Sequence, residues 1–150
     1  MRFWSRTPVR TFVIYPLGTL VWEYLIRAGT LVLDYRFLPV LLWGYLQYRL
    51  CGLYRIKHGG GGPGLETPPE RLVVSGPYAY TRNPMYLGHV IFLTGLTLTL
   101  ESWLAGSITL AVSLWFHSRV LGDEVKLMHR LGEPYVNYLA TVKRWIPGLF

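Results

Sequence analysis

The sequence predicts an all-α, polytopic integral membrane protein with about four membrane helices and a C-terminal amphipathic helical tail. Hydrophobic residues make up 51% of the 150 residues and charged residues only 15%, whereas soluble domains are about a quarter charged. Aromatic residues reach 15%, with many Trp and Tyr, and these residues favour membrane–water interfaces. The length suits one domain over residues 1–150.

Two N-terminal membrane helices are predicted within residues 1–56. The first apolar stretch runs from about Thr11 to Ile26, near the short end for crossing ~30 Å of hydrocarbon. The second lies between Ala28 and Tyr54. The basic start of the chain resembles a signal peptide, but no small-residue cleavage site follows the apolar stretch. We therefore expect a retained membrane helix.

Residues 57–75 form a Gly/Pro-rich tract that begins the second half of the chain. The tract contains four consecutive glycines and three prolines, a composition that does not support a helix. It lacks the glycine–lysine pattern of phosphate-binding loops. We expect a flexible, solvent-exposed connection on the cytosolic side.

Residues 76–150 begin with a helical hairpin. The apolar region from Met85 to Phe116 is interrupted only by Glu101-Ser102 and is too long for one perpendicular span. We predict two helices that turn near Leu100 to Ser102. Gly88 and Gly95 fall on one helical face, where missing side chains permit close contact between helices.

An amphipathic tail is predicted after Phe116. Apolar residues recur there every three or four positions, with basic residues on the other faces. Gly132 and Pro134 should end one helix and start another. The apolar positions are Val125, Met128, Leu131, Tyr135, Leu139 and Val142.

The formal charge of +7 is compatible with nucleic-acid binding, but the basic residues flank apolar segments, so we expect contact with anionic lipid and no nucleic acid. The groups near Arg2, Arg55 and Lys126 would share one side of the membrane, which the positive-inside rule makes cytosolic. The single cysteine, Cys51, excludes an intrachain disulfide. The histidines show no metal-site spacing, so no metal is expected. The oligomeric state stays open.

Two polar clusters border the hairpin, one ending at Gly88 and one beginning at Arg119. A hairpin returns its ends to one side, so Arg82 can approach Asp123 and Glu124. Ionisable groups beside a bilayer need a partner or a ligand. Either an anchoring salt bridge or a ligand site fits this pattern.

These clusters resemble a known family. The segment Gly76-Pro77-Tyr78 followed by 82–88 resembles the Arg-His/Asn-Pro-x-Tyr-x-Gly signature of the isoprenylcysteine carboxyl methyltransferase and phospholipid methyltransferase family. Asp123-Glu124 with the later Gly132, Tyr135 and Tyr138 is similar to that family's paired acids and Gly-x-x-Tyr-x-x-Tyr tail. The ending Arg144 to Pro147 also matches. Asn83 stands where the eukaryotic prenylcysteine enzymes have His, and Asp123 stands where the family usually has Glu.

The resemblance implies that the protein binds S-adenosylmethionine between the two motifs and releases S-adenosylhomocysteine as the product. It assigns catalytic roles to Arg82, Arg119 and Glu124. The residues implied to bind the cofactor are Tyr78, Arg82, Asn83, Pro84, Tyr86, Leu87, Gly88, Asp123, Glu124, Tyr135 and Tyr138.

The expected reaction is methyl transfer to a lipophilic acceptor in the bilayer, either the carboxylate of a prenylcysteine-like compound or a lipid headgroup or other small acceptor. A carboxylate or thiolate needs no general base, whereas an amine does, and Glu124 or His89 are the candidates. Two alternatives remain: an NADPH-dependent enzyme like the sterol reductases, and a non-catalytic membrane scaffold or lipid-binding protein.

Overall fold

A computed structural model describes residues 6–62 and 64–146, and these residues are helical with no strand. The predictions that concern Arg2, Pro63 and Pro147 lie outside the described residues. The elements are α1 Thr7–Val9, a π-helical turn Arg10–Ile14, α2 Tyr15–Ile26, a 3-10 turn Tyr35–Phe37, α3 Leu38–Gly59, a 3-10 turn Gly76–Ala79, α4 Pro84–Leu100, α5 Trp103–Leu131 and α6 Glu133–Thr141.

The predicted hairpin is confirmed, with α4 and α5 joined by two residues. Glu101 adopts a left-handed conformation with φ of 47°, and the Ser102 hydroxyl caps α5 by accepting from the Ala105 N–H at 3.1 Å.

The amphipathic segment predicted after Phe116 continues α5 without a break. The whole helix spans 29 residues, Trp103–Leu131, about 43 Å at 1.5 Å per residue. Gly132, with φ of 66°, then ends it, and α6 begins at Glu133 as the Gly132–Pro134 pattern predicts.

Glycines bring α3 and α4 into backbone contact. A Cβ on Gly88 would lie 2.8 Å from the Tyr48 backbone nitrogen, and one on Gly95 would lie 2.5 Å from that of Leu41. Both distances are shorter than any side chain tolerates, so the close contact predicted at Gly88 and Gly95 is confirmed. Its partner is α3, the second N-terminal helix.

Large apolar side chains cover much of the outer surface of the bundle, as expected for helices that face lipid. Val21 on α2, Leu42 on α3 and Leu110 on α5 are all about as exposed as Leu17 on α2, which is 57% exposed. Among the described helices, only Trp103–Leu131 combines the length and hydropathy needed to cross a membrane, while Pro84–Leu100 is apolar but shorter. The helical class is therefore confirmed, and the count of about four membrane helices stays a prediction.

The Gly/Pro-rich tract folds back on the bundle, so the expectation of a solvent-exposed connection is wrong for part of it. Leu65 and Val73 are buried. The Arg55 guanidinium donates through Nη2 to the carbonyl oxygens of Gly62, Gly64 and Thr67. One buried arginine thus satisfies backbone acceptors that a glycine-rich segment cannot pair within itself.

A buried ion pair ties the first helix to the hairpin turn. Glu23 is 3% exposed, and its carboxylate accepts from the Ser102 hydroxyl and lies 2.8 Å from Arg27 Nε. Arg27 also donates to the carbonyl oxygens of Leu100 and Glu101 at 3.2 and 3.1 Å. Glu23, Arg27 and Ser102 form what we call the turn cluster. It fixes the end of the hairpin at which α4 turns into α5.

Candidate active site

A cavity of about 520 Å³ opens at the end of the hairpin where α4 begins. The second half of α5, helix α6 and the tract between Arg55 and Val73 supply its other walls. The predicted site residues that line it are Tyr78, Arg82, Asn83, Pro84, Tyr86, Arg119, Asp123, Glu124, Tyr135 and Tyr138. Leu87 and Gly88 are not among the lining residues, and Gly88 faces α3 instead.

Glu124 lies at the centre of an ion-pair cluster on the cavity wall. It is 7% exposed, and its Oε1 lies 3.1 Å from Arg82 Nη2. Arg144, from the segment after α6, reaches both oxygens, with Nη2 donating to Oε2 at 2.8 Å. This pairing raises the pKa of the Arg144 guanidinium chiefly through the hydrogen bond to Glu124. A buried charge is stable only when it is paired and hydrogen-bonded, and the two guanidinium groups supply both for the Glu124 carboxylate.

The turn before α4 holds the tail in place through backbone carbonyls. The Thr81 hydroxyl and the Asn83 amide both donate to the Arg144 carbonyl oxygen, at 3.0 and 3.3 Å. Arg82 donates from its backbone N–H to the Lys143 carbonyl oxygen at 3.0 Å and from Nη1 to that of Leu139 at 2.8 Å. The motif around residue 82 therefore closes the cavity by docking the tail as well as by lining it.

A second acid occupies a more open position on the same wall. Asp123 accepts from the Tyr86 hydroxyl at 3.0 Å, and its side chain is 36% exposed. Arg119 Nε and Lys126 Nζ lie 3.7 and 3.8 Å from its carboxylate oxygens, too far for short hydrogen bonds. Asp123 therefore keeps acceptor capacity that Glu124 has already used.

Three tyrosines from the two motifs form a buried aromatic wall. Burial raises the pKa of the Tyr135 hydroxyl to about 12, with a further contribution from the Glu124 charge, and burial also raises the pKa of Tyr78 and Tyr138. The Tyr138 hydroxyl donates to the Tyr78 carbonyl oxygen at 2.6 Å. All three side chains therefore stay neutral at physiological pH and act as packing and hydrogen-bonding groups.

Glu66 and Thr7, which the sequence interpretation did not include in the site, meet the predicted residue Arg119 beside the cavity. Glu66 lines it and accepts from the Thr7 backbone N–H at 2.9 Å. Burial acts to raise the pKa of the Glu66 carboxyl, but hydrogen bonds from the backbone and side chain of Thr7 and from the Glu66 backbone, together with the Arg119 charge, outweigh burial and lower it. Arg119 contacts the same point, with Nη1 donating to Thr7 Oγ1 at 3.0 Å.

Glu66 lines the cavity and Thr7 and Arg144 contact predicted site residues, but none of the three was predicted to belong to the site. Of these three, only Arg144 had a signal in the sequence, as part of the ending that resembles the family. His89, which was considered as a base, is fully buried and is not a lining residue of the cavity. Its ring packs 4.7 Å from Phe12 and 4.6 Å from Tyr48, between centroids.

Comparisons with known proteins agree with the motifs. A family model described as phospholipid methyltransferase matches residues 63–131. Protein-S-isoprenylcysteine O-methyltransferases of Mus musculus and Homo sapiens are each 33% identical over 78 residues, which cover 51% of this chain and 27% of those proteins. The enzyme of that name from Schizosaccharomyces pombe is 32% identical over 78 residues, or 33% of its length.

The chain thus matches only about a quarter to a third of the length of these relatives. The matched 63–131 region includes the turn before α4, all of α4 and α5, and both acids of the cavity wall. Within that region, the resemblance of this chain to the isoprenylcysteine carboxyl methyltransferase and phospholipid methyltransferase family is confirmed.

Proposed function

We propose that the protein is a membrane enzyme that transfers a methyl group from S-adenosylmethionine to a lipophilic acceptor at the cytosolic face. The observation that carries the proposal is that two separate sequence motifs line one cavity of about 520 Å³. Arg82 of the first motif and Asp123 of the second are 41 residues apart in the sequence. The names of the relatives, which are methyltransferases, support the reaction class.

The cavity suits the cofactor in size and in chemistry. Small-molecule sites enclose about 300–1,000 Å³. The cofactor carries a carboxylate, an ammonium, a sulfonium and an adenine, and the wall offers guanidinium groups, acids and aromatic faces. Arg82 Nε is buried without a hydrogen-bond partner among the described residues. A buried donor that lacks a partner is costly unless a ligand satisfies it.

The two acids take different roles in this proposal. Glu124 orients Arg82 and Arg144, because both of its oxygens are already engaged by their guanidinium groups. Asp123 accepts from the ammonium or a ribose hydroxyl, because it is the more exposed acid and its cationic neighbours are distant. The tyrosine faces supply cation–π attraction for a sulfonium, about 0.5–2 kcal/mol.

The cofactor supplies a methyl group activated by the positive sulfur. The chain itself has to align donor and acceptor and keep water out, and orientation alone can contribute up to ~7–11 kcal/mol. Docking of the tail through Thr81, Arg82 and Asn83 provides that closure. A carboxylate or thiolate acceptor reacts without a base, while an amine acceptor needs one.

The lipophilic nature of the acceptor rests on the lining that residues 65–73 supply. Except for Glu66, this part of the lining is apolar. Large apolar side chains also cover much of the outer surface of the helices. The apolar lining side chains from residues 65–73 are Leu65, Pro68, Pro69, Leu72 and Val73.

Calorimetric titration of the detergent-purified protein with S-adenosylhomocysteine and, separately, with NADPH tests the cofactor. We expect binding of the first ligand only. Binding of NADPH without S-adenosylhomocysteine would contradict the proposal and favour a reductase. A labelled-methyl assay on membrane lipids and prenylcysteine analogues then identifies the acceptor. The Glu101→Gln variant removes an acid of the hairpin turn that does not line the cavity. It serves as the control for charge-removing variants and should bind S-adenosylhomocysteine like the wild type.

A further inference from the structure

The start of the first helix, outside the matched 63–131 region, contacts the wall of the cavity. Thr7 is 2% exposed and joins two lining residues that are distant in sequence, Glu66 and Arg119. It accepts from the Arg119 guanidinium with its hydroxyl and donates to Glu66 with its backbone N–H. Thr7 thus links an acid through its backbone N–H and a cation through its hydroxyl, and a buried polar network of this kind favours one arrangement of its members.

The Arg119 guanidinium is held in one orientation by several elements. Its Nη2 donates to the Leu65 carbonyl oxygen at 3.3 Å, and its Cζ lies 5.9 and 5.4 Å from the ring centroids of Tyr86 and Trp115. Stacking on aromatic faces fixes the plane of a guanidinium while its N–H groups stay available.

Arg119 is better placed than Arg82 to recognise an anion. Arg82 already uses Nη2 on Glu124 and Nη1 on the Leu139 carbonyl oxygen, which leaves only its buried Nε unpaired among the described residues, and its side chain is 10% exposed. The Arg119 side chain is 23% exposed, and its nearest acid, Asp123, is 3.7 Å away. The carboxylate of an amino-acid group is therefore more readily bound by Arg119.

We propose that Thr7 is a positioning residue that orients Arg119 to bind the carboxylate of the cofactor's amino-acid part. This inference rests on the proposed function, since it assumes that the cavity holds an adenosyl amino acid. It makes the N-terminal helix part of the active site, although that helix lies outside the region matched by the family model.

The test compares two ligands by calorimetric titration. S-adenosylhomocysteine contains the amino-acid part, and 5′-methylthioadenosine has the nucleoside and sulfur without it. Thr7→Val keeps the side-chain shape and removes the hydroxyl, so we expect S-adenosylhomocysteine to bind about tenfold more weakly, the usual scale for a hydrogen bond to a charged group. Binding of 5′-methylthioadenosine should be unchanged. Thr7→Ser restores the hydroxyl and should restore affinity.

Two controls separate positioning from folding. Thr19→Val removes a buried hydroxyl that bonds only within its own helix, to the Tyr15 carbonyl oxygen, and should leave both affinities unchanged. In an Arg119→Ala background, Thr7→Val should have no further effect on S-adenosylhomocysteine, as expected for two residues that act through one contact.

The outcomes distinguish the inference from the function on which it rests. An equal loss of both ligands in Thr7→Val, or no loss of either, would overturn the inference while the proposed function stands. If the wild-type protein binds 5′-methylthioadenosine and S-adenosylhomocysteine equally well, the carboxylate is not recognised and the inference also fails. A wild-type protein that binds neither ligand would overturn the proposed function together with the inference.

Discussion

The two ends of the α4–α5 hairpin each carry a buried glutamate paired with arginine, and the cavity of about 520 Å³ lies at the Glu124 end. At the turn cluster, Glu23 meets Arg27 and Ser102, and Arg27 donates through Nη2 to two backbone carbonyl oxygens of the turn. At the other end, Glu124 pairs with Arg82 and Arg144 beside about 520 Å³ of open space.

The difference shows that an acid–arginine pair beside a membrane is not by itself evidence for a site. The turn cluster is an anchoring ion pair, which was one of the two interpretations open for Arg82 and Glu124. At the cavity end, Arg82 Nε is buried without a partner among the described residues. Adjoining space, more than charge or an unpaired donor, separates a ligand site from an anchor, because buried polar atoms without a hydrogen-bond partner also occur on other described residues such as Thr99.

The largest expected effect is that of Glu124→Gln on ligand binding. The substitution removes the charge that holds two guanidinium groups, so S-adenosylhomocysteine should bind about 100-fold more weakly, equivalent to about 2.7 kcal/mol. Calorimetric titration measures this loss, with thermal unfolding in detergent as the control for folding. Wild-type affinity in the variant would mean that the cavity end is merely a second anchor.

Glu23→Gln should give the opposite pattern. The pair is buried on the Glu23 side, while Arg27 is 25% exposed, so we expect a loss of about 2 kcal/mol in the free energy of unfolding, below the range for fully buried pairs. A melting curve in detergent measures this loss. The affinity of the folded protein for S-adenosylhomocysteine should not change, and a loss of affinity without a change in melting would break the comparison.

Tyr138→Phe should have a smaller effect, confined to the cavity end. It removes the hydroxyl that donates to the Tyr78 carbonyl oxygen and leaves a buried acceptor unpaired, at a cost of about 1–2 kcal/mol. The expected result is a lower melting temperature with the aromatic wall otherwise intact. Tyr80→Phe, at a tyrosine that is 68% exposed, is the matched control and should melt like the wild type.

The smallest expected effect is the pH dependence contributed by Glu66. Its pKa in the folded protein lies below the ordinary value of 4.5, so the stability it contributes is present above that value and is lost as the pH falls through the lowered pKa. Comparing the melting of the wild type with that of Glu66→Gln should show a difference at pH 7 that shrinks below about pH 4.5. A constant difference would exclude this linkage.

The sequence could predict the cavity end better than the rest of the fold because its signals are local. The hairpin turn at Glu101-Ser102 places Arg82 near Glu124, and the glycine spacing of α4 predicts close packing. The contact between Thr7 and Arg119 joins residues 112 positions apart, and no periodicity specifies such a pair.

The other differences also have physical causes. Glycine and proline indicate that the tract after α3 is not helical. They do not reveal that Arg55 donates hydrogen bonds to backbone carbonyl oxygens of the tract or that Leu65 is buried. Helix α5 passes Phe116 unbroken because no proline intervenes before Leu131 and the single Gly122 does not end it. The roles of the individual site residues stay predictions.

The glycine contacts between α3 and α4 give the bundle a preferred direction of movement. With backbone against backbone at Gly44, Gly88 and Gly95, neither helix can slide along the other by a turn without driving a side chain into the main chain of its neighbour. The seam between α3 and α4 therefore resists sliding. A widening of the cavity would instead have to displace the segment after α6 from the turn before α4, where Thr81 and Asn83 bond its backbone.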